Sequence, residues 1–335
     1  MSRSVVLTFD YEIFFVGPAT VEHCLLKPVD ALLRELEAAG AHACFFVDAA
    51  HLLRMNEEPR AAGDASRVND QIARIVAAGH RVELHVHPQW LDAAWQAGGL
   101  WNFSQYRSCI LGNLRREVAV DLLVSSGEAL TAAASAASRG YALQAFRAPG
   151  LCAQPFESIA EGMDLLGIAI DSSVAAGLVR HTEFHSIDYR AAPRDTCWRF
   201  GSDPIVPQTT GRFIELPITM IPMRLGMKMH RRLDRLRRPA AYRGYGDGSC
   251  MPVPPARMLS MLRTTSAFLT LEDMSPAILG RALPGTGRLV TFISHPKVMS
   301  PVSLETLRWL GAQDVRFLTP SEAVIEELGN PDAAS

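Results

Sequence analysis

Short apolar runs recur along this chain, separated by amphipathic helical stretches, and nearly every run ends in a polar or titratable residue. Ser4–Phe9 (SVVLTF) delivers Asp10-Tyr11-Glu12, and Arg81–His87 carries His85 and His87. Ala145–Gly150 (AFRAPG) holds Arg147, Ile168–Val174 (IAIDSSV) delivers Asp171, Phe213–Thr219 (FIELPIT) carries Glu215, and Leu289–Lys297 (LVTFISHPK) ends on His295-Pro296. With Ala43–Val47 (ACFFV), these β-branched and aromatic runs read as buried strands. Helical spacing fills the intervals at 27–40, 68–79 and 117–137, with Pro28 near the start of the first and Gly40 and Gly79 after the ends of the first two. Strands alternating with helices at this spacing build parallel βα units. The ligand site of such folds lies at the carboxyl ends of the strands, where these polar residues fall.

The spacing within the polar groups has chemical content. His85 and His87 are two apart, and alternate side chains of a strand share a face, so both imidazoles reach one point before Pro88 stops the strand. Such a pair fits a metal site, and equally a structural pair satisfied by hydrogen bonds. Asp10 and Glu12, at i and i+2, can face one cleft, or one of them caps the next segment. Arg147, before a Pro-Gly turn, can hold a carboxylate bidentately or lie on the surface. Trp90, Trp95 and Trp101 follow the histidines as a wall for a sugar or as core residues.

With 335 residues, 48% of them hydrophobic and 20% charged, the chain supports a substantial core. A formal net charge of −2 gives no global case for nucleic acid or membrane. Six cysteines are scattered without a CxxC pair, and neither a leader-type apolar stretch nor a run of about 18 apolar residues occurs. A cytoplasmic, reducing setting with free thiols is expected. Residues 55–67 read as a surface loop, 239–255 as a Pro/Gly-rich loop, and 181–285 as an irregular insertion into a single domain spanning 1–328, with 329–335 a flexible tail. Residues 223–238 (MRLGMKMHRRLDRLRR) concentrate basic charge, as a helix on an anionic membrane, a grip on a phosphorylated substrate, or a solvated face. No Walker or Rossmann glycine motif is present, so neither an organic cofactor nor a nucleic-acid partner is expected.

In this order the strand ends resemble the polysaccharide deacetylase family (the NodB-homology domain, carbohydrate esterase family 4). Thr8-Phe9-Asp10-Tyr11-Glu12 stands where the family has TFDDG, Cys44-Phe45-Phe46-Val47 is similar to its TFFV strand, and Gly79–His85 resembles the approach to its HxxxH motif. Phe146-Arg147-Ala148-Pro149-Gly150 resembles its RxPY-type motif, Asp171-Ser172-Ser173 the fourth, Ile293-Ser294-His295-Pro296 the fifth, and Phe317–Ala323 the closing segment. The resemblance covers about 4–326 and implies an α/β fold, a distorted (β/α)7-type barrel of about seven strands. Two departures stand out: Tyr11 replaces the second aspartate of the first motif, and the histidines are two apart instead of four. An LHxHP-type branch associated with surface-polysaccharide and lipopolysaccharide genes shares the contraction.

What the resemblance implies is a hydrolase acting on carbon–nitrogen bonds other than peptide bonds, removing an acetyl or similar group from an amino sugar or glycan precursor. A divalent metal, Zn²⁺ above others, would be held by His85, His87 and a carboxylate from Glu12 or Asp10. Asp10 would be the general base, Arg147 its orienting partner, His295 the general acid and Asp171 the partner of His295. The Tyr11 backbone N–H would donate to the oxyanion, and Pro149 and Trp90 would contact substrate. Two other readings remain: a metal-free, allantoinase-like amidohydrolase and a non-catalytic carbohydrate-binding or assembly protein.

Overall fold

The structure is a computed structural model and describes residues 2–96, 99–103, 109–194, 196–249, 264–272 and 274–329. The expected flexible tail falls outside these residues except for its first position, as do part of the 239–255 loop and Cys250.

The first strand, β1 (Arg3–Tyr11), leads to α1 (Lys27–Ala38), β2 (Cys44–Asp48), α2 (Ala49–Glu57), α3 (Ala62–Ala77) and β3 (Arg81–His85). A short hairpin, β4 (Ala94–Gln96) and β5 (Leu100–Asn102), precedes α4 (Arg116–Ser135), β6 (Ala145–Arg147), α5 (Glu157–Leu166) and β7 (Ile170–Asp171). A second hairpin, β8 (Val179–His181) and β9 (Ser186–Asp188), is followed by β10 (Trp198–Phe200), β11 (Phe213–Glu215), β12 (Met220–Met223), α6 (Leu225–Arg237), β13 (Thr265–Phe268) and α7 (Pro276–Ala282). The chain then runs through β14 (Leu289–Ser294), α8 (Pro301–Gly311), β15 (Val315–Phe317) and α9 (Pro320–Leu328).

The main sheet runs β10-β11-β7-β6-β3-β2-β1-β14, with β15 paired to β1. Every neighbour from β11 to β14 is parallel, so seven strands form the barrel wall, and β10 closes its edge antiparallel. Between β14 and β11 the sheet is bridged rather than zipped: Thr219 N–H donates to the Thr291 carbonyl (3.0 Å), and Ile293 N–H to the Leu269 carbonyl (3.0 Å). The result is a curled, partly open (β/α) barrel. Within its wall β1 is buried on both faces, with Val5, Leu7 and Phe9 fully covered on one and Val6 on the other. Each such side chain contributes roughly 1.5–3 kcal/mol relative to exposure.

Three expectations need correction. Residues 55–67 are not a loop but the end of α2, a 3₁₀ turn at Pro59–Ala61 and the start of α3. Pro59 begins the turn, where its missing N–H costs nothing, and the Glu58 carboxylate accepts the Arg60 N–H. The stretch expected as an irregular insertion contains, besides the expected strand β11, a further strand of the main sheet, β10. The third is β3, which ends at His85, two residues early, because Pro88 and the Trp90 turn draw the chain off the ladder. Among the described residues one helix, α4, is long and apolar enough by composition to cross a membrane; here it packs on α2, α3 and α5 with Leu123, Leu130 and Ala134 fully buried.

A strap at Arg243–Ser249 crosses the end of β14. Tyr245 N–H donates to the Met299 carbonyl and Gly246 N–H to the Lys297 carbonyl, both at 3.0 Å. A Cβ at position 246 would sit 2.5 Å from the Lys297 carbonyl oxygen and 2.6 Å from the Phe14 ring. Gly246→Ala is therefore expected to lower the urea midpoint by an amount equivalent to about 1–3 kcal/mol. Gly285→Ala, which meets nothing within 4 Å, should leave it unchanged.

Candidate metal centre

Where β3 ends at His85 the backbone stays extended through His87 (φ −99°, ψ 118°), so both imidazoles point into the barrel mouth. His87 N–H donates to Asp48 Oδ1 (3.1 Å), which fixes the turn. Glu12, just past β1, completes the cluster: its Oε2 lies 2.7 Å from His87 Nε2 and 3.2 Å from His85 Nε2, and the two Nε2 atoms are 2.9 Å apart. All three side chains are buried.

The outer hydrogen bonds set the tautomers. His85 Nδ1 lies 2.8 Å from the Arg147 carbonyl oxygen, an acceptor only, so Nδ1 carries the proton and Nε2 turns a lone pair inward. His87 Nδ1 faces Gln89 Oε1 at 3.3 Å, and Gln89 Nε2 donates to Cys109 Sγ. Two inward imidazole nitrogens at such a distance repel unless a proton or a cation lies between them. Two imidazoles and a carboxylate are also a usual donor set for a divalent ion that keeps positions open to substrate. The residues present thus fit the metal that the resemblance implies, and Glu12, rather than Asp10, is the carboxylate that converges with the histidines.

Lys297 is a member of this cluster that the sequence reading missed. Its Nζ donates to Glu12 Oε1 (2.7 Å) and to the Ile13 carbonyl (2.9 Å), and it is nearly buried. Burial alone would raise the Glu12 carboxyl, but Lys297 and His87 hold it well below the usual carboxylate range. Burial likewise disfavours a proton on His87, and Glu12 outweighs it and holds that imidazole well above the usual value. A signal was available: Lys297 directly follows His295-Pro296 and is one of three lysines in the chain.

On the other side of Glu12 stand Asp10 and His295. Arg147, fully buried, donates from Nη1 to Asp10 Oδ1. His295 Nε2 lies 3.6 Å from Asp10 Oδ2 and 3.8 Å from Glu12 Oε1. The expected partner of His295, Asp171, is elsewhere. His295 Nδ1 meets Glu272 Oε1 at 2.7 Å, and the same oxygen accepts the His295 backbone N–H. Glu272 lies in LTLED, a stretch without a strand or motif signal, and only the fold delivers it.

Asp171 instead faces Glu215 across the β7–β11 ladder, where the two residues are in register. Ser173 Oγ donates to Asp171 Oδ1 (2.6 Å) and Val174 N–H to Glu215 Oε1 (3.0 Å). Their remaining oxygens, Asp171 Oδ2 and Glu215 Oε2, are buried without a hydrogen-bond partner among the described residues. Burial raises the carboxyl of Asp171, and burial together with the charge of Asp171 raises that of Glu215 well above the usual carboxylate range.

Trp90 does not front the cleft as a sugar platform. It is fully buried, stacked 4.2 Å from His51, with Nε1 donating to Asp48 Oδ2 (2.6 Å). The apolar wall on the histidine side is Phe15, whose ring centre lies 5.0 Å from that of His87. The Tyr11 hydroxyl donates to Gln71 Oε1 (2.9 Å), so only its backbone remains for a substrate, and Pro149 is buried in a 3₁₀ turn.

No protein-family model and no curated protein matches the chain. Solved structures do. A protein from Mycobacterium smegmatis assigned as a polysaccharide deacetylase superposes with a TM-score of 0.52 at 16% identity, covering 98% of this chain and 91% of that one. A family 4 carbohydrate esterase from Streptomyces lividans, in complex with acetate, covers 97% and 89% at 9% identity and a TM-score of 0.42. A 4-alpha-glucanotransferase from Thermococcus litoralis covers 98% of this chain and 41% of that one, at 12% identity and a TM-score of 0.48. Only the first likeness is strong enough to carry an argument, and it speaks to architecture. With seven parallel strands, a bridged seam and the polar residues gathered at the strand carboxyl ends, the chain has the polysaccharide-deacetylase (NodB-homology, carbohydrate esterase family 4) fold.

Proposed function

We propose that this protein is a metal-dependent hydrolase that removes an acetyl or similar acyl group from the nitrogen of an amino sugar in a glycan or glycan precursor. The observation that carries the reading is the convergence of Glu12, His85 and His87 on one point, flanked by Asp10 and His295. A divalent ion held by that triad, Zn²⁺ in this proposal, supplies a Lewis acid for the carbonyl and lowers the pKa of water.

The remaining work falls to the chain. Asp10 takes the proton of the attacking water, held in place by the Arg147 guanidinium. His295 gives its proton to the departing nitrogen. Burial alone would push its pKa down, but Glu272, with Asp10 and Glu12, raises it to about 9. His295 is thus protonated at neutral pH, as an acid must be, and loses that form as pH rises through about 9. Glu272 takes the positioning role expected of Asp171. A carbohydrate-binding protein without turnover has no use for this pairing of base and acid. The metal-free amidohydrolase reading has one observation in its favour, the Lys297 ammonium at Glu12, which already supplies a positive charge.

Purified protein should carry about one divalent ion per chain, lost in the His85→Ala/His87→Ala double variant, with acetate release from an N-acetylated amino-sugar oligomer abolished by chelation and restored by Zn²⁺. Full activity after complete chelation would transfer the assignment to the metal-free reading. Asp10→Asn should lower turnover by about 10²-fold or more at unchanged metal content; near-normal turnover removes Asp10 as base. In a proton NMR titration the His295 ring should show a midpoint near 9, falling toward 6.5 in Glu272→Gln. A midpoint that ignores Glu272 would contradict the assigned partnership.

A further inference from the structure

We infer that α6 is a membrane-surface helix, which seats this protein on an anionic lipid bilayer. The inference is independent of the chemistry proposed above. Leu225, Met229, Leu233 and Leu236 fall at i, i+4, i+8 and i+11, a single stripe of the helix, and are 44%, 43%, 45% and 70% exposed. Four large aliphatic side chains in one exposed row depart from the single scattered apolar residues of an ordinary surface.

The inner face of α6 is accounted for. Met227 is buried, Asp234 pairs with Arg238 (3.2 Å) and accepts the Tyr242 hydroxyl, and Arg238 reaches Glu305 on α8 (3.0 Å). The apolar row therefore points away from the barrel because the opposite side is already docked. Within the helix Lys228, Arg231, Arg232, Arg235 and Arg237 stand against one acid, Asp234, in a chain whose formal net charge is −2. An apolar row bordered by guanidinium groups is the pattern of a helix lying in a headgroup layer, aliphatic side chains down and cations among the phosphates. Nucleic acid has no use for the aliphatic row. Two copies meeting face to face along it would bring like charges together.

A groove of about 300 Å³ on the docked side of α6 is lined by Arg231, Arg180, Phe268, Thr270 and Glu272, the residue that holds His295.

The test is co-sedimentation of the full chain with vesicles of phosphatidylglycerol and phosphatidylcholine, against phosphatidylcholine alone. Wild type should pellet with the anionic vesicles, stay in solution with the neutral ones, and be released by high salt. Leu233→Glu/Leu236→Glu and Arg232→Glu/Arg237→Glu should each weaken binding by about tenfold or more, with thermal unfolding curves like wild type. The inference is overturned if wild type ignores anionic vesicles, or if both variants bind as wild type does. It is also overturned if sedimentation velocity shows a wild-type dimer that Leu233→Glu/Leu236→Glu dissolves, for then the row joins two copies of this chain.

Discussion

A buried guanidinium holds the mouth of this barrel together. Arg147 is fully covered, with its charged group 4.0 Å from the Phe46 ring centre. Nη1 is bound to Asp10, Nε to the Ser172 carbonyl (2.8 Å) and Nη2 to Ser172 Oγ (3.1 Å). Its own carbonyl receives the Nδ1 proton of His85. One residue thus sets a carboxylate on one strand, a tautomer on another and the path of a third. A charge removed from water costs several kcal/mol unless its bonds are made, so these partners constrain one another as strongly as they hold the arginine.

The same requirement explains how charge is divided around it. Asp10 matches Arg147, while burial raises the carboxyls of Asp171 and Glu215, on the next two strands, and so disfavours further negative charge beside the guanidinium. Glu12 splits its oxygens between Lys297 and the histidines. Asp10 and Glu12 are tied to different positive groups, Arg147 and Lys297, while Asp171 and Glu215 are held by the neutral donors Ser173 Oγ and Val174 N–H, so each of the four acids in this buried region has its own donor.

Much of this was legible in the sequence. Strand runs and their order gave the parallel barrel, because apolar runs that alternate with helices leave few other topologies. Asp10, Glu12, His85, His87, Arg147 and His295 were found because each ends a strand, and the carboxyl ends of parallel strands converge. The same rule placed Asp171 in the mouth, while the resemblance assigned it to His295; register across the sheet, which puts it opposite Glu215, is not written locally. Glu272 escaped because it arrives from β13, a short strand outside the main sheet. Lys297 escaped because a lysine after a strand end reads as a surface residue. Trp90 was misjudged because an aromatic next to a site looks the same in sequence whether it faces the cleft or backs its wall.

The pairing of β1 has a further consequence, for the order in which the molecule can assemble on the ribosome. One edge of β1 is satisfied by β14, Ser4 opposite Leu289 and Phe9 opposite Ser294. The other edge is shared, by β2 at Thr8–Tyr11 and by β15 at Arg3–Val5. On a growing chain β1 thus waits for β14 and β15, far along the sequence, before either edge is complete. Early collapse of the βα units around β1 leaves an apolar strand with an open edge until those strands are made, the kind of surface that recruits chaperones or other chains. Barrel closure is governed by contacts of high sequence separation, and is slow for that reason.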